Sequence, residues 1–316
     1  MCIPFLGLYA LLNQIKNNMK KILVFVTLLF STAITYNCNK KTEEETILTG
    51  NSTVMVDESL LPILEEQKQI FEAQYKATIN LVPSSEIEII DALLKDSIQI
   101  AVLSQKLSIG DSLRIVKHKK HPKQTQFATD AIVLIINKKT NDSLITIQEI
   151  TDFLKQSNTT KIKGLVFDNP NSSSVRYLNG LAGIKESRNK NIYSFKTNKE
   201  VIKYVSENNG MIGVVGLNWI EQSNPDLENI VVLSVKNPKS NSYIYPSQNS
   251  LAEKTYPLAR DLYIINSQGY SGLGMGFSSF IAGEVGQRIL LKSGLLPFKI
   301  PGRNIIIRNK LEKENK

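Results

Sequence analysis

From residue 48 onward, the apolar positions alternate between two spacings. Short stretches rich in β-branched residues, Thr53–Asp57, Thr78–Val82 and Ile98–Leu103, are separated by segments whose apolar residues recur three or four apart. Leu60, Leu61, Leu64 and Phe71 mark an amphipathic helix over Leu60–Tyr75, and Ile87–Lys95 predicts a second. This strand–helix–strand–helix–strand order predicts a parallel or mixed sheet covered by helices. Within a predicted strand over Phe127–Asn137, the run Ala131–Ile136 is wholly apolar, as in a strand buried on both faces. Helices are predicted over Thr146–Leu154, from Ser172 and over Asn198–Glu207. Strands are predicted over Leu165–Asp168, Met211–Gly216, Ile230–Ser234 and Leu262–Ile265. A closing helix over Phe277–Leu291 is stopped by Gly294 and Pro297. The count predicts an α/β protein of two lobes, each a mixed sheet flanked by helices.

The amino-terminal segment breaks this pattern. Met19-Lys20-Lys21 opens a basic region and Ile22–Ile34 is an apolar run, too short to span a bilayer as a typical helix of about 20 residues. Residues 1–38 therefore read as a signal peptide with an upstream extension before Met19. Cys38 follows the apolar run directly, where a bacterial lipoprotein carries its acylated cysteine, although Asn37 stands where a small residue is usual. The expectation is an exported protein held to a membrane through a lipid on Cys38, on the periplasmic or outer-membrane face, with residues 39–47 as a tether. The formal charge of +9 falls to about +6 once the three lysines of the first 38 residues are removed. Much of it sits in Lys117-His118-Lys119-Lys120-His121-Pro122-Lys123, which has no interleaved aromatics or nucleic-acid motif and reads as a solvated loop. His118 and His121 have no further ligands nearby, so neither a metal nor a cofactor is expected.

The densest chemistry lies at Asp168-Asn169-Pro170-Asn171-Ser172-Ser173-Ser174-Val175-Arg176, a strand end, a turn and a helix start. Free N–H groups at a helix N-terminus, ringed by hydroxyls, favour an anion; an ordinary capped helix is the alternative. Two more strand ends carry small polar groups: Asp57-Glu58-Ser59 and Ser104-Gln105-Lys106. In open α/β sheets, ligands bind beyond the carboxyl ends of the strands. If the three turns converge, they form a polar cleft for a small oxyanion. Ser172 has no Gly-x-Ser-x-Gly elbow, and the two histidines are confined to the basic loop, so the chain is not expected to be an enzyme.

Several segments resemble the periplasmic phosphate-binding proteins of ABC importers, which have the type II periplasmic-binding-protein fold. These are Phe127–Val133, Thr146–Leu154, Asn209–Gly216, Tyr245-Pro246-Ser247, Tyr256–Tyr263 and Phe277–Pro297, in the family's order. The resemblance implies two crossing strands between lobes, with lobe I formed by 48–127 and 262–300, lobe II by 128–261, and a charged tail at 301–316. It implies capture of phosphate or a related oxyanion and its delivery to ABC permease subunits; a sensor or assembly lipoprotein keeping the same fold is the alternative. Ser172-Ser173-Ser174 falls on the family's Ser-Gly-Thr, but Asp168 stands where the family has Arg, leaving Arg176 to replace the cation. Leu103-Ser104-Gln105 lacks the family's Asp, leaving Glu58 or Asp57 as the carboxylate that would accept the proton of hydrogen phosphate and so reject sulfate. The candidate ligand-binding set is thus Glu58, Ser59, Ser104, Gln105, Asn171, Ser172, Ser173, Ser174 and Arg176.

Overall fold

A computed structural model describes Met19 and residues 45–302 other than 141, 158–160 and 222–223. Cys38, the apolar leader, the start of the tether and the tail beyond 302 lie outside the described residues. No helix among the described residues is long and apolar enough to cross a membrane.

The first third of the chain runs β1 (Gly50–Asp57), α1 (Leu61–Gln74), β2 (Ala77–Ser84), α2 (Glu86–Leu94), β3 (Ile100–Leu103) and α3 (Ile109–Lys117). Pro62 sits in the first turn of α1, where its missing N–H costs nothing. Ser85 and Glu88 form a capping box that starts α2. β4 (Lys123–Asn137) is the longest strand. After it come β5 (Leu144–Ile145), α4 (Ile147–Lys155), β6 (Gly164–Phe167), α5 (Ser173–Ala182), β7 (Ile192–Ser194), α6 (Asn198–Glu207), β8 (Met211–Gly216) and α7 (Leu217–Ile220). Short strands β9 (Ile230–Val232), β10 (Ser234–Lys236) and β11 (Tyr243–Ile244) lead to α8 (Gln248–Ala252) and β12 (Ala259–Asn266). The described chain closes with α9 (Leu273–Ala282), α10 (Glu284–Lys292) and β13 (Leu296–Pro297).

One sheet runs in the order β2-β1-β3-β12-β4-β8-β6-β7, with β9 and β13 also paired to β4; β11-β10-β5 form a small second sheet. β1, β2 and β3 are parallel to one another, as are β6, β7 and β8. Between these two parallel wings lie β12 and β4, antiparallel to each other and to their outer neighbours. β4 belongs to both wings: Lys123–Ala131 pairs with β12, while Ile132–Ile136 pairs with β8. That explains its apolar run, since Ala131–Ile135 are wholly buried. We call the β1–β3 side the first wing and the β6–β8 side the second.

Two predicted elements differ. The closing helix is two helices, because the chain is extended at Gly283 (φ −85°, ψ 175°). The basic stretch does not read as a single loop, since Lys117 ends α3 and Lys123 begins β4.

Candidate functional site

The carboxyl ends of β1, β3 and β6 converge on the β4–β12 crossing, where an ion pair sits. Arg260 on β12 lies opposite Asp130 on β4 in the register, and both side chains are buried. Nε and Nη2 of Arg260 donate to Asp130 Oδ2 at 3.1 and 2.8 Å, while Asp130 Oδ1 accepts from the Leu217 N–H at 3.2 Å. The guanidinium fork then reaches into both wings. Nη2 donates to Ser59 Oγ at 2.9 Å on the first, and Nη1 donates to Ser173 Oγ at 2.8 Å on the second. These contacts use four of the five guanidinium N–H groups.

Each serine is fixed by local structure. Asp57, ending β1, caps the next turn by accepting from the Ser59 N–H at 3.0 Å and from its hydroxyl at 2.9 Å. With its proton given to Asp57, the Ser59 hydroxyl presents lone pairs to Arg260. Gly216 and Trp219 of the second wing pack on this turn. A Cβ at Gly216 would lie 2.9 Å from the Ser59 carbonyl oxygen, so glycine permits the approach, and Trp219 Nε1 donates to that same oxygen at 3.0 Å. Across the crossing, Ser172 caps α5, its Oγ accepting from the Val175 N–H at 3.4 Å. Ser173 and Ser174 follow in the first turn of α5, both buried, where backbone N–H groups are unpaired by the helix and the dipole is positive.

The carboxyl groups near this centre are out of proportion to its cations. Burial, reinforced by Asp168, pushes Glu58 up to about 8. Burial, reinforced by Asp57 and opposed by Arg176 and Arg260, pushes Glu86 up to about 7. Burial and then Asp57 push Asp168 up to about 6. Asp130 is also raised by burial, with Arg260 opposing. For Arg260 burial acts downward, but Asp130, Asp57 and Glu86 outweigh it and the net direction is upward. The short contacts between Asp130 and Arg260 are those of a charge-assisted pair.

A cavity of about 420 Å³ opens beside Arg260. Ser104, Gln105, Ser173 and Arg176 of the candidate set line it, together with Arg260 and Glu86. Arg176 reaches across the wings to Glu86, Nη2 to Oε2 at 3.2 Å. Ser59 lies one contact behind, on Arg260. Glu58 faces away from this cavity: Oε1 accepts from the Asn198 N–H at the start of α6 at 3.1 Å, and the Asn198 side-chain amide donates to Oε2. Asn171 is exposed, its N–H donating to Asn169 Oδ1 at 2.8 Å, and Ser174 Oγ is buried without a protein partner. Sequence reasoning missed Arg260, Asp130 and Glu86. Asp130 and Arg260 were visible as single charges beside apolar runs, in Ala128–Ile136 and Leu258–Ile265.

The family model of the PBP superfamily domain matches residues 41–285. A curated relative, the phosphate-binding protein PstS of Borreliella burgdorferi, is 25% identical over 304 residues, covering 89% of this chain and all of that one. Among solved structures, a Clostridium perfringens protein assigned as a phosphate ABC transporter substrate-binding protein, with bound phosphate, superposes with a TM-score of 0.67 at 18% identity. It is matched over its full length by 79% of this chain. An ABC-type phosphate transport receptor from Vibrio cholerae gives a TM-score of 0.59 at 16% identity, over 78% of this chain and all of that one. At such identities the structural likeness establishes the fold, the mixed α/β architecture of type II periplasmic binding proteins. With most of its length matched by the family model, the chain belongs to the PBP superfamily.

Proposed function

We propose that this protein is the substrate-binding component of an ABC importer, capturing phosphate or a closely related oxyanion between two lobes and delivering it to permease subunits. The observation that carries the reading is Arg260: a buried cation on the crossing strand, paired with Asp130 and bonded at once to a hydroxyl from each wing. An anion entering beside it would exchange those hydroxyl contacts for its own oxygens. Ser59, Ser173 and the first N–H groups of α5 would then turn toward it, so that fixed dipoles replace its water. The lobes are 48–127 with 262–300, and 128–261. Their closure on the anion would follow the hinge pattern of such folds. Glu86, with its ordinary value near 4.5 pushed up to about 7, supplies a carboxyl that can accept or hold a proton beside the bound anion. Ionised, this carboxylate would accept the proton of hydrogen phosphate, and sulfate has none to give. The known phosphate-binding relatives support the same substrate.

We place the protein outside the cytoplasm, anchored through a lipid on Cys38, and we read it as a binding protein with no catalytic role. Calorimetric titration of the chain from residue 38 onward with phosphate and with sulfate tests the substrate. Saturable heat with phosphate and a much weaker response to sulfate is the expected result; equal affinity for both would overturn the assignment to phosphate. Replacing Cys38 by Ser should move the protein from the membrane to the soluble exported fraction, and unchanged partitioning would refute the anchor.

A further inference from the structure

The surface opposite the cavity carries a second feature. α3 exposes Ile109, Leu113 and Val116, at i, i+4 and i+7, with 82, 57 and 38% of their surface open; only Ile115 on this helix is buried. Such a stripe usually faces a core, and here it faces outward. Beyond it the chain presents Lys117, Lys119 and Lys123, all exposed and none ion-paired among the described residues. Lys120 is the exception, held to Asp96 at 2.5 Å.

The position of this patch is set by the fold. Lys123 and Ile100 both pair with Asn266, so the basic segment sits at the amino ends of β3 and β4, away from Ser104 and the cavity at the other end. Glu45 is at this end too. It lines one cavity with Asp96, the partner of Lys120, and its carboxylate accepts from the Leu273 N–H at 2.7 Å. Glu45, the first residue of the described fold, therefore lies close to the basic segment. Only six residues separate Cys38 from Glu45, and seven chain steps reach at most about 25 Å.

We propose that this end of the first wing, Lys117, Lys119 and Lys123 with the Leu113–Val116 edge of α3, rests on an anionic lipid surface when the chain is tethered at Cys38. A basic patch is one of the second signals that strengthen lipid-anchored attachment to a membrane. Each lysine within a Debye length of an anionic surface, about 8 Å at physiological salt, favours it roughly five-fold. This orientation turns the cavity toward the aqueous phase. Capture then occurs in the docked state, and weak, salt-sensitive contacts allow release for delivery.

The test joins the chain from residue 38 onward, through the Cys38 thiol, to maleimide lipid in phosphatidylcholine vesicles with or without phosphatidylglycerol. Supplying the tether chemically separates this inference from lipidation in the cell and from the substrate. Acetylation rates of individual lysines are read by mass spectrometry. On phosphatidylglycerol vesicles, Lys117, Lys119 and Lys123 should react several-fold more slowly than on neutral ones. The difference should vanish in high salt, and Lys196 and Lys199 on the second wing should not change. Reversing two charges, Lys117→Glu with Lys119→Glu, should return Lys123 to its neutral-vesicle rate without moving the thermal midpoint. Equal rates on both vesicles would overturn the proposal. So would salt-independent protection, or protection that follows protein density on neutral vesicles and so reports contact between copies of the chain.

Discussion

The two wings bring unlike chemistry to the crossing. The first presents acids: Asp57 capping its own turn, Glu58 reaching over to α6, and Glu86 reaching over to Arg176. The second presents mainly donors: the Ser173 and Ser174 turn at the start of α5, the Asn198 N–H and the Arg176 guanidinium. Asp168 is the acid on that side, and it lies against the Glu58–Asn198 contact. Because acceptors lie on one wing and donors on the other, the wings attract each other without ligand. An anion must compete with the protein's own carboxyl groups for the same donors. Arg260, held by Asp130 on the crossing strands, belongs to neither wing and is present whichever way they move.

The largest effect should come from breaking the shared cation. Arg260→Ala strips Asp130 of its partner and leaves a buried carboxylate uncompensated. A loss of about 3–5 kcal/mol of stability, seen as a lowered midpoint in urea unfolding, is expected along with loss of anion binding. Arg260→Lys keeps the charge but cannot reach Asp130, Ser59 and Ser173 together, so it should fold better than Arg260→Ala and still bind weakly.

On the second wing, Ser173→Ala deletes the hydroxyl on Arg260 Nη1. Phosphate affinity should fall about ten- to a hundred-fold, the value of one hydrogen bond to a charged group, with little change in stability. A matching loss from Ser59→Ala would show that both wings grip the anion; no loss would place the grip on the second wing alone.

The first wing can be tested by pH. Glu58 and Glu86 lie near 4.5 when unfolded and rise to about 8 and about 7 in the fold. Between those limits the native state holds protons that the unfolded chain has released, so ligand-free stability should fall as pH rises from about 4.5 toward 8 and then level off. Glu58→Gln should flatten the upper part of that slope. A slope unchanged in the variant would mean that Glu58 is not the group titrating. The smallest effect is expected from Arg176→Ala. Its pair with Glu86 is partly exposed, with 39% of the Arg176 side chain open, and its removal should weaken phosphate by no more than about five-fold.

The sheet and most helices were legible in the chain because their patterns are local. Ala131–Ile136 announced a strand buried on both faces, and the helix predicted over Asn198–Glu207 is α6 to the residue, started by a capping box of Thr197 and Glu200 that the structure shows. α3 was missed, although Ile109, Leu113 and Val116 recur at helical spacing and Ser108 caps the helix. The turns at Ser104 and Ser172 were legible as site candidates because clusters of small polar residues at strand carboxyl ends stand out locally, although Ser172 also serves as the cap of α5. The centre of the site was not. Asp130 and Arg260 lie 130 positions apart and meet only through the antiparallel register of β4 and β12, so their segments read as framework rather than as a cation for the cleft. Glu86 looked like an acid in the first turn of a helix, a common surface placement. Its burial at 1% exposure depends on how α2 packs at the carboxyl ends of the first wing.

One experiment asks whether Arg260 binds the anion or only holds the crossing strands together. The double variant Asp130→Leu with Arg260→Met removes both partners of the buried pair, an exchange that is often neutral or stabilising, and so separates binding from folding. Titrating it with phosphate is the most direct test. If Arg260 holds the anion, the variant unfolds cooperatively with a thermal midpoint near that of the natural chain and shows no measurable phosphate binding. Binding within a few-fold of the natural affinity would contradict that role.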